Sequence, residues 1–128
     1  MRIFTFLFFG AIFSGALGAT PVNGNVARGE QIYTRCFACH ALAQDRTGPR
    51  HCGLFGRKAG TVAGFEYSSA MKKSGIVWNE KTLNGFLANP VKTVPGTAMG
   101  YSGVTDAQER ADLIAYLKQA TQPGKQCP

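Results

Sequence analysis

Little in this 128-residue chain would build a sheet: strand-like alternation is nearly absent, and no such run precedes the first cysteines. Internal repeats and low-complexity segments are also missing, which excludes solenoids and repeat arrays. Histidine is reduced to two positions, His40 and His51. Without a second Cys-x-x-Cys or any His-x-x-x-His, a zinc site built on the four cysteines lacks its usual second half. No basic run exceeds Lys72-Lys73, and the aromatics do not interleave with the cations. The excess of 14 Lys and Arg over 7 Asp and Glu is therefore not a nucleic-acid stripe. The one long apolar run, Ile3 to Phe13, is too short to span a bilayer.

That run follows a single early charge, Arg2, and leads into the small residues Ser14, Gly15, Ala16, Gly18 and Ala19. This is the pattern of a secretory signal peptide over residues 1–19, with cleavage after Gly18 or Ala19. Residues 20–128 then form one domain of about 109 residues, a size at which the apolar core is modest. Removing Arg2 leaves a charge of about +6, suited to acidic protein faces or membrane surfaces.

Cys36-Phe37-Ala38-Cys39-His40 carries the chemistry. Two thiols three positions apart lie about one helical turn from each other, and an imidazole follows directly. Cys-x-x-Cys-His is a c-type haem attachment signal: the thiols add to two vinyl groups on one porphyrin edge, and the imidazole reaches the iron from one face. A thioredoxin-like dithiol, a zinc site and a plain structural pair are the competing readings. Export settles the other two cysteines, since Cys52 and Cys127 remain as an even pair in an oxidising compartment and are expected to bond to each other.

The rest of the chain reads as helices and loops. Asn25 caps a helix that runs to the haem cysteines, with Val26, Gly29, Ile32, Tyr33 and Phe37 along one face; Gly29 implies close approach of another helix. Ala41 to Gly64 is punctuated by glycine too often for regular structure, and a flat cofactor would supply its packing surface. Ser68 caps a short helix over Ser69 to Lys73, and Asn79 caps another that carries Leu83, Phe86 and Leu87 and stops before Pro90. Pro90 to Gly103 reads as loop. Thr105 and Gln108 form a capping box for a last helix lined by Leu113, Ile114, Tyr116, Leu117 and Ala120, with Asp112 among the acids facing the positive end of its dipole. Haem iron needs a sixth ligand or an open position. Met99, in a Pro-Gly-punctuated loop, is harder to dismiss as packing than Met71, and His51 reads as a surface or loop histidine.

From Asn25 to about Ala120 the chain resembles class I cytochromes c, the mitochondrial protein and its small periplasmic bacterial relatives. The matching segments include Gly29-Glu-Gln-Ile-Tyr33, Cys36 to His40, Thr47-Gly-Pro49, Gly53-Leu-Phe-Gly-Arg-Lys58, Gly64-Phe-Glu-Tyr67, Gly75-Ile-Val-Trp78, Pro95-Gly-Thr-Ala-Met99 and Asp112-Leu-Ile-Ala-Tyr-Leu117. The resemblance implies an all-α fold in which the N- and C-terminal helices cross and short middle helices and long loops wrap one covalent haem c. It implies iron held by His40 and Met99, thioethers at Cys36 and Cys39, the Pro49 carbonyl on the far nitrogen of His40, propionates met by Arg57, Tyr67 and Trp78, and Thr97 bonding beside them. The implied activity is that of a soluble, monomeric periplasmic one-electron carrier, not an enzyme, working between a cytochrome bc-type donor and a terminal oxidase or reaction-centre acceptor. No nucleic acid is implied, and membranes are met only through those partners. If Met99 does not bind iron, an open-site gas sensor or peroxidase-like protein is the alternative.

Three departures from the mitochondrial pattern stand out. Phe86 replaces a tyrosine beside the methionine sulfur and Met71 a buried asparagine, with opposing effects on the reduction potential. The lysine-rich rim of the relatives reads here Arg35, Val91, Lys92, Ala98, Thr105 and Asp106, so steering toward an acidic partner should be weak for the net charge.

Overall fold

The structure, a computed structural model, describes residues 22–128; the expected signal peptide, residues 1–19, lies outside the described residues. Five helices follow in order: α1 (Val26–Tyr33), α2 (Ser69–Lys73), α3 (Glu80–Ala88), α4 (Pro90–Thr93) and α5 (Ala107–Ala120). The only extended pairing among the described residues is an isolated antiparallel bridge between Lys58 and Val77. The class is all-α, as expected.

Local chemistry starts each helix. The Asn25 side chain accepts from the Arg28 N–H at 2.9 Å, and α1 tightens after Tyr33 into a 3₁₀ turn, Thr34–Cys36, that delivers the first cysteine. Ser68 caps α2 through the Met71 N–H at 3.1 Å. Asn79 and Thr82 exchange bonds as a capping box on α3, both at 2.9 Å. Two boundaries differ from expectation. Pro90 opens α4 instead of a loop: Asn89 is extended and accepts from the Lys92 N–H at 3.0 Å, and proline is favourable at a first helical position. Asp106, not Thr105, caps α5, accepting from the Glu109 N–H at 2.8 Å. Gln108 closes no box; its amide reaches across to the Asn23 carbonyl and the Asp112 carboxylate, both at 2.9 Å.

The crossing of α1 and α5 organises everything else. A Cβ on Gly29 would collide with the Asp112 carbonyl and stand 2.7 Å from Tyr116 Cβ. Glycine is thus required by the approach of two backbones, as its place in the helix implied. Asp112 was expected on the dipole-facing side and is instead fully buried at this crossing. Its Oδ1 accepts from the Asn25 N–H at 2.7 Å, and Oδ2 faces Arg28 Nε at 3.2 Å. Burial pushes the carboxyl up, but the hydrogen bonds from the Asn25 N–H and Gln108 and the nearby Arg28 charge outweigh it and hold the group below its usual range. Tyr33, Leu113 and Leu117 fill the core beside the crossing, and the Tyr33 and Tyr116 rings lie 5.2 Å apart.

The segment from Ala41 to Gly64 has no helix, yet it is bonded into place. Cys52 N–H donates to the Leu42 carbonyl and Gly53 N–H to the Thr121 carbonyl, each at 2.8 Å. The second of these draws the C-terminal tail onto the loop and brings Cys52 and Cys127, 75 positions apart, to a Cα separation of 5.4 Å. Among the described residues, no helix is long and apolar enough to cross a membrane.

Candidate functional site

The loops and the crossed helices enclose a predominantly apolar cavity of about 530 Å³, within the range of cofactor pockets. Cys36, Cys39, His40, Pro49, Arg57, Tyr67, Trp78, Thr97 and Met99 all line it. These nine come from six separate stretches of chain, so their convergence is a property of the fold and not of local spacing. Cys52 and Cys127 lie apart from it.

The Cys36–His40 segment closes one wall. After the 3₁₀ turn, the Cys39 and His40 N–H groups both donate back to the Cys36 carbonyl, at 3.1 and 2.8 Å, which holds the two thiols and the imidazole on one tight turn. Burial pushes the Cys36 thiol up to about 11. Dithiol exchange is favoured by a lowered thiol pKa, which burial at Cys36 opposes. Among the described residues no three His, Cys, Asp or Glu side chains converge on a common metal position, so the zinc reading gains no support there.

His40 is buried, and burial holds it below the ordinary imidazole value, hence neutral. Its Nδ1 lies 2.8 Å from the Pro49 carbonyl. A carbonyl only accepts, so Nδ1 carries the proton and Nε2 keeps its lone pair. Gly48 allows this: a Cβ there would stand 2.6 Å from His40 Nδ1 and displace the ring.

His51 lies in the loop, as expected, but is half-buried and not free at the surface; its ring stacks on His40 with centroids 4.3 Å apart and planes 24° from parallel. Its Nδ1 sits 2.9 Å from the hydroxyl of Tyr33, whose own ring is fully buried. Burial, then the neighbouring His40 and Arg57, drive His51 down to about 3, so it is neutral. A histidine can be taken inside once a partner satisfies it, and that partner lies 18 positions back on α1, where spacing rules give no signal.

Met99 also lines the cavity, half-buried, with its N–H donating to Thr97 Oγ1 at 3.2 Å. Met71 and Phe86 are buried and also line the cavity, and the Phe86 ring packs 5.1 Å from that of Trp78. Arg57 donates to the carbonyls of Cys52 at 2.9 Å and Arg50 at 3.0 Å, pinning the loop on both sides of His51. A thiol pair at the edge, a neutral imidazole with a free lone pair, a thioether and an apolar shell form a donor set that fits a covalently attached haem.

The cytochrome c family model matches residues 26–121. The chain belongs to the cytochrome c family. Its cofactor is accordingly haem c, covalently attached, and the family's role is electron carriage between redox partners. Cytochrome c of Sesamum indicum is 49% identical over 102 residues, covering 77% of this chain and 92% of that relative. Cytochrome c2 of Blastochloris viridis is 41% identical over 121 residues, 92% of this chain and 95% of that protein. Among solved structures, cytochrome cH from Methylobacterium extorquens superimposes with a TM-score of 0.72 at 43% identity, covering 74% of this chain and 98% of its own.

Proposed function

We propose that this cytochrome is an exported, monomeric one-electron carrier of the periplasm, with residues 1–19 as its signal peptide, residues 20–128 as its single domain, and its haem iron held by His40 and Met99. The observation that carries this reading is that a neutral imidazole, its Nδ1 proton committed to Pro49, and the Met99 thioether line one apolar cavity. Bound there, haem supplies the Fe(II)/Fe(III) couple. Cys36 and Cys39 tether it, His40 and Met99 saturate it, and the apolar shell keeps water and substrates away, which favours electron transfer over catalysis. Arg57, Tyr67 and Trp78 take the propionate side, with Thr97 beside them.

Donor and acceptor are membrane redox complexes: a cytochrome bc-type donor and a terminal oxidase or reaction centre. The test is rapid oxidation of the reduced protein by a purified terminal oxidase, together with the weak sulfur-to-iron absorption of the ferric form. A ferric spectrum without that band would remove Met99 from the iron. The salt response of the same reaction is a second expected outcome. Arg35, on the rim, forms a two-pronged pair with Glu109 at 2.8 and 2.9 Å, while Val91 and Ala98 bring no charge. The oxidation rate should therefore fall less than about threefold between low and physiological salt, where a full basic rim falls steeply; a steep slope would contradict the depleted rim.

Cys52 and Cys127 are proposed to be bonded after export, joining the C-terminal tail to the loop that carries His51. Thiol counting on the unfolded, haem-bearing protein should find none. Cys127→Ser should cost about 2–4 kcal/mol in denaturant unfolding, because it releases a long closed loop in the unfolded chain. Two free thiols in the wild type would refute the bond.

A further inference from the structure

We propose that Tyr33 and His51 act as a pair of positioning residues for His40, setting the plane of the axial imidazole from behind. The inference rests on His40 as an iron ligand and adds what orients it.

A hydrogen bond from Nδ1 to a carbonyl fixes one point of an imidazole and leaves the ring free to rock about that line. Here the Pro49 carbonyl is that point, at 2.8 Å. The His51 ring lies against the His40 face at 4.3 Å and 24°, so rocking of His40 toward it meets a flat, close-packed surface. That surface is itself anchored. The His51 N–H donates to the Leu42 carbonyl at 2.9 Å, the His51 carbonyl accepts from the Leu54 N–H at 2.9 Å, and Arg57 grips the carbonyls of both flanking residues. Its side chain is held by Tyr33 at 2.9 Å.

Tyr33 makes no other side-chain hydrogen bond among the described residues, and this one holds in either tautomer of His51: the phenol O–H donates to Nδ1 when the ring proton is on Nε2, and its oxygen accepts when the proton is on Nδ1. Tyr33 in turn is seated on α1 against Tyr116 of α5. The crossing of the terminal helices is thereby connected to the orientation of the iron ligand through three side chains in sequence: Tyr33, His51 and His40.

Two apolar side chains of similar size could fill the same space, so packing alone would not call for a phenol and an imidazole. What the polar pair adds is direction, since the hydrogen bond fixes the rotation of the His51 ring, and the stack passes that rotation on to His40. The cost is conditional: either residue left without the other is a buried polar group lacking its partner.

The experiment uses the haem-bearing protein with Tyr33→Phe, His51→Leu and the double variant. The spread of the haem-methyl proton resonances in the ferric, low-spin protein reports the axial ligand planes and is the primary readout. Both single variants should change the order or spacing of these resonances while the protein stays low-spin. In urea unfolding, His51→Leu alone should lower the midpoint more than the double variant does, because only the single change strands the Tyr33 hydroxyl. Should His51→Leu fail to incorporate haem, Tyr33→Phe and His51→Gln carry the test, the latter keeping an acceptor but not the stacked ring and expected to shift the resonances. Resonances unchanged in Tyr33→Phe, or stability effects that simply add, would overturn the pair. Failure of the underlying ligation would look different: the wild type itself would not be low-spin.

Discussion

Met99→Ala should abolish the sulfur-to-iron absorption of the ferric protein and open the sixth position to small ligands. Met99 is the only thioether of the Pro95–Met99 loop, and it faces the same cavity as the His40 imidazole. An external ligand can bind the wild type only in the fraction of molecules whose methionine has left the iron. If that fraction is about 1%, removing the side chain raises the apparent affinity for added imidazole about 100-fold. The reduction potential should fall with it, since thioether ligation favours ferrous iron. Ligand titration of the ferric variant, followed optically, checks both the affinity and the vanished band. Met71, which also lines the cavity from α2, is the control: Met71→Leu should leave the band in place. Retention of the band in Met99→Ala and its loss in Met71→Leu would transfer the ligand role to Met71, and absence of the band from the wild type would favour an open site.

The second large effect is expected at the helix crossing. Gly29→Val inserts three carbon atoms where even one would collide with the Asp112 carbonyl and press on Tyr116. Neither obstacle is the tip of a flexible side chain: one is helix backbone, the other a Cβ. The helices must separate, and the cost lies at or above the upper end for overpacking, about 3 kcal/mol. For a domain of this size each kcal/mol moves the melting temperature by roughly 4–8 °C, so a drop of about 12 °C or more is expected in a thermal melt. Separation would also stretch the Asn25–Asp112 bond and leave a fully buried carboxylate short of a donor. Gly85→Ala, on α3 where a Cβ meets nothing within 4 Å, should be neutral or slightly stabilising by the better helix propensity of alanine. Equal effects at the two glycines would show that the crossing does not discriminate them.

These cases also show which parts of the molecule could be read from residue order. The attachment motif needs only contiguous residues, because its chemistry is that of one helical turn. The caps at Asn25, Ser68 and Asn79 are equally local, each using a side chain three residues from the N–H it satisfies. At α5 the same reasoning slipped by one residue: Thr105 and Asp106 are both competent caps, and the backbone conformation at Asp106 decided between them. Asp112 looked like a dipole-facing acid and is a buried carboxylate, because its partners, the Asn25 N–H and the Arg28 guanidinium, lie more than 80 positions away.

The sequence by itself determined where a haem is expected to be tethered, that the chain is helical and loop-rich, and which side chains could serve the iron. Composition, spacing and resemblance carry that information because each acts over a few residues or along an ordered set of motifs. Only the tertiary structure decided what stands behind His40. Tyr33, His51 and Pro49 meet there from a helix and a loop, and Asp112 closes the crossing that seats Tyr33. A buried polar group is tolerated only when its partner arrives, and these partners arrive through the packing of α1 on α5, which no local pattern encodes.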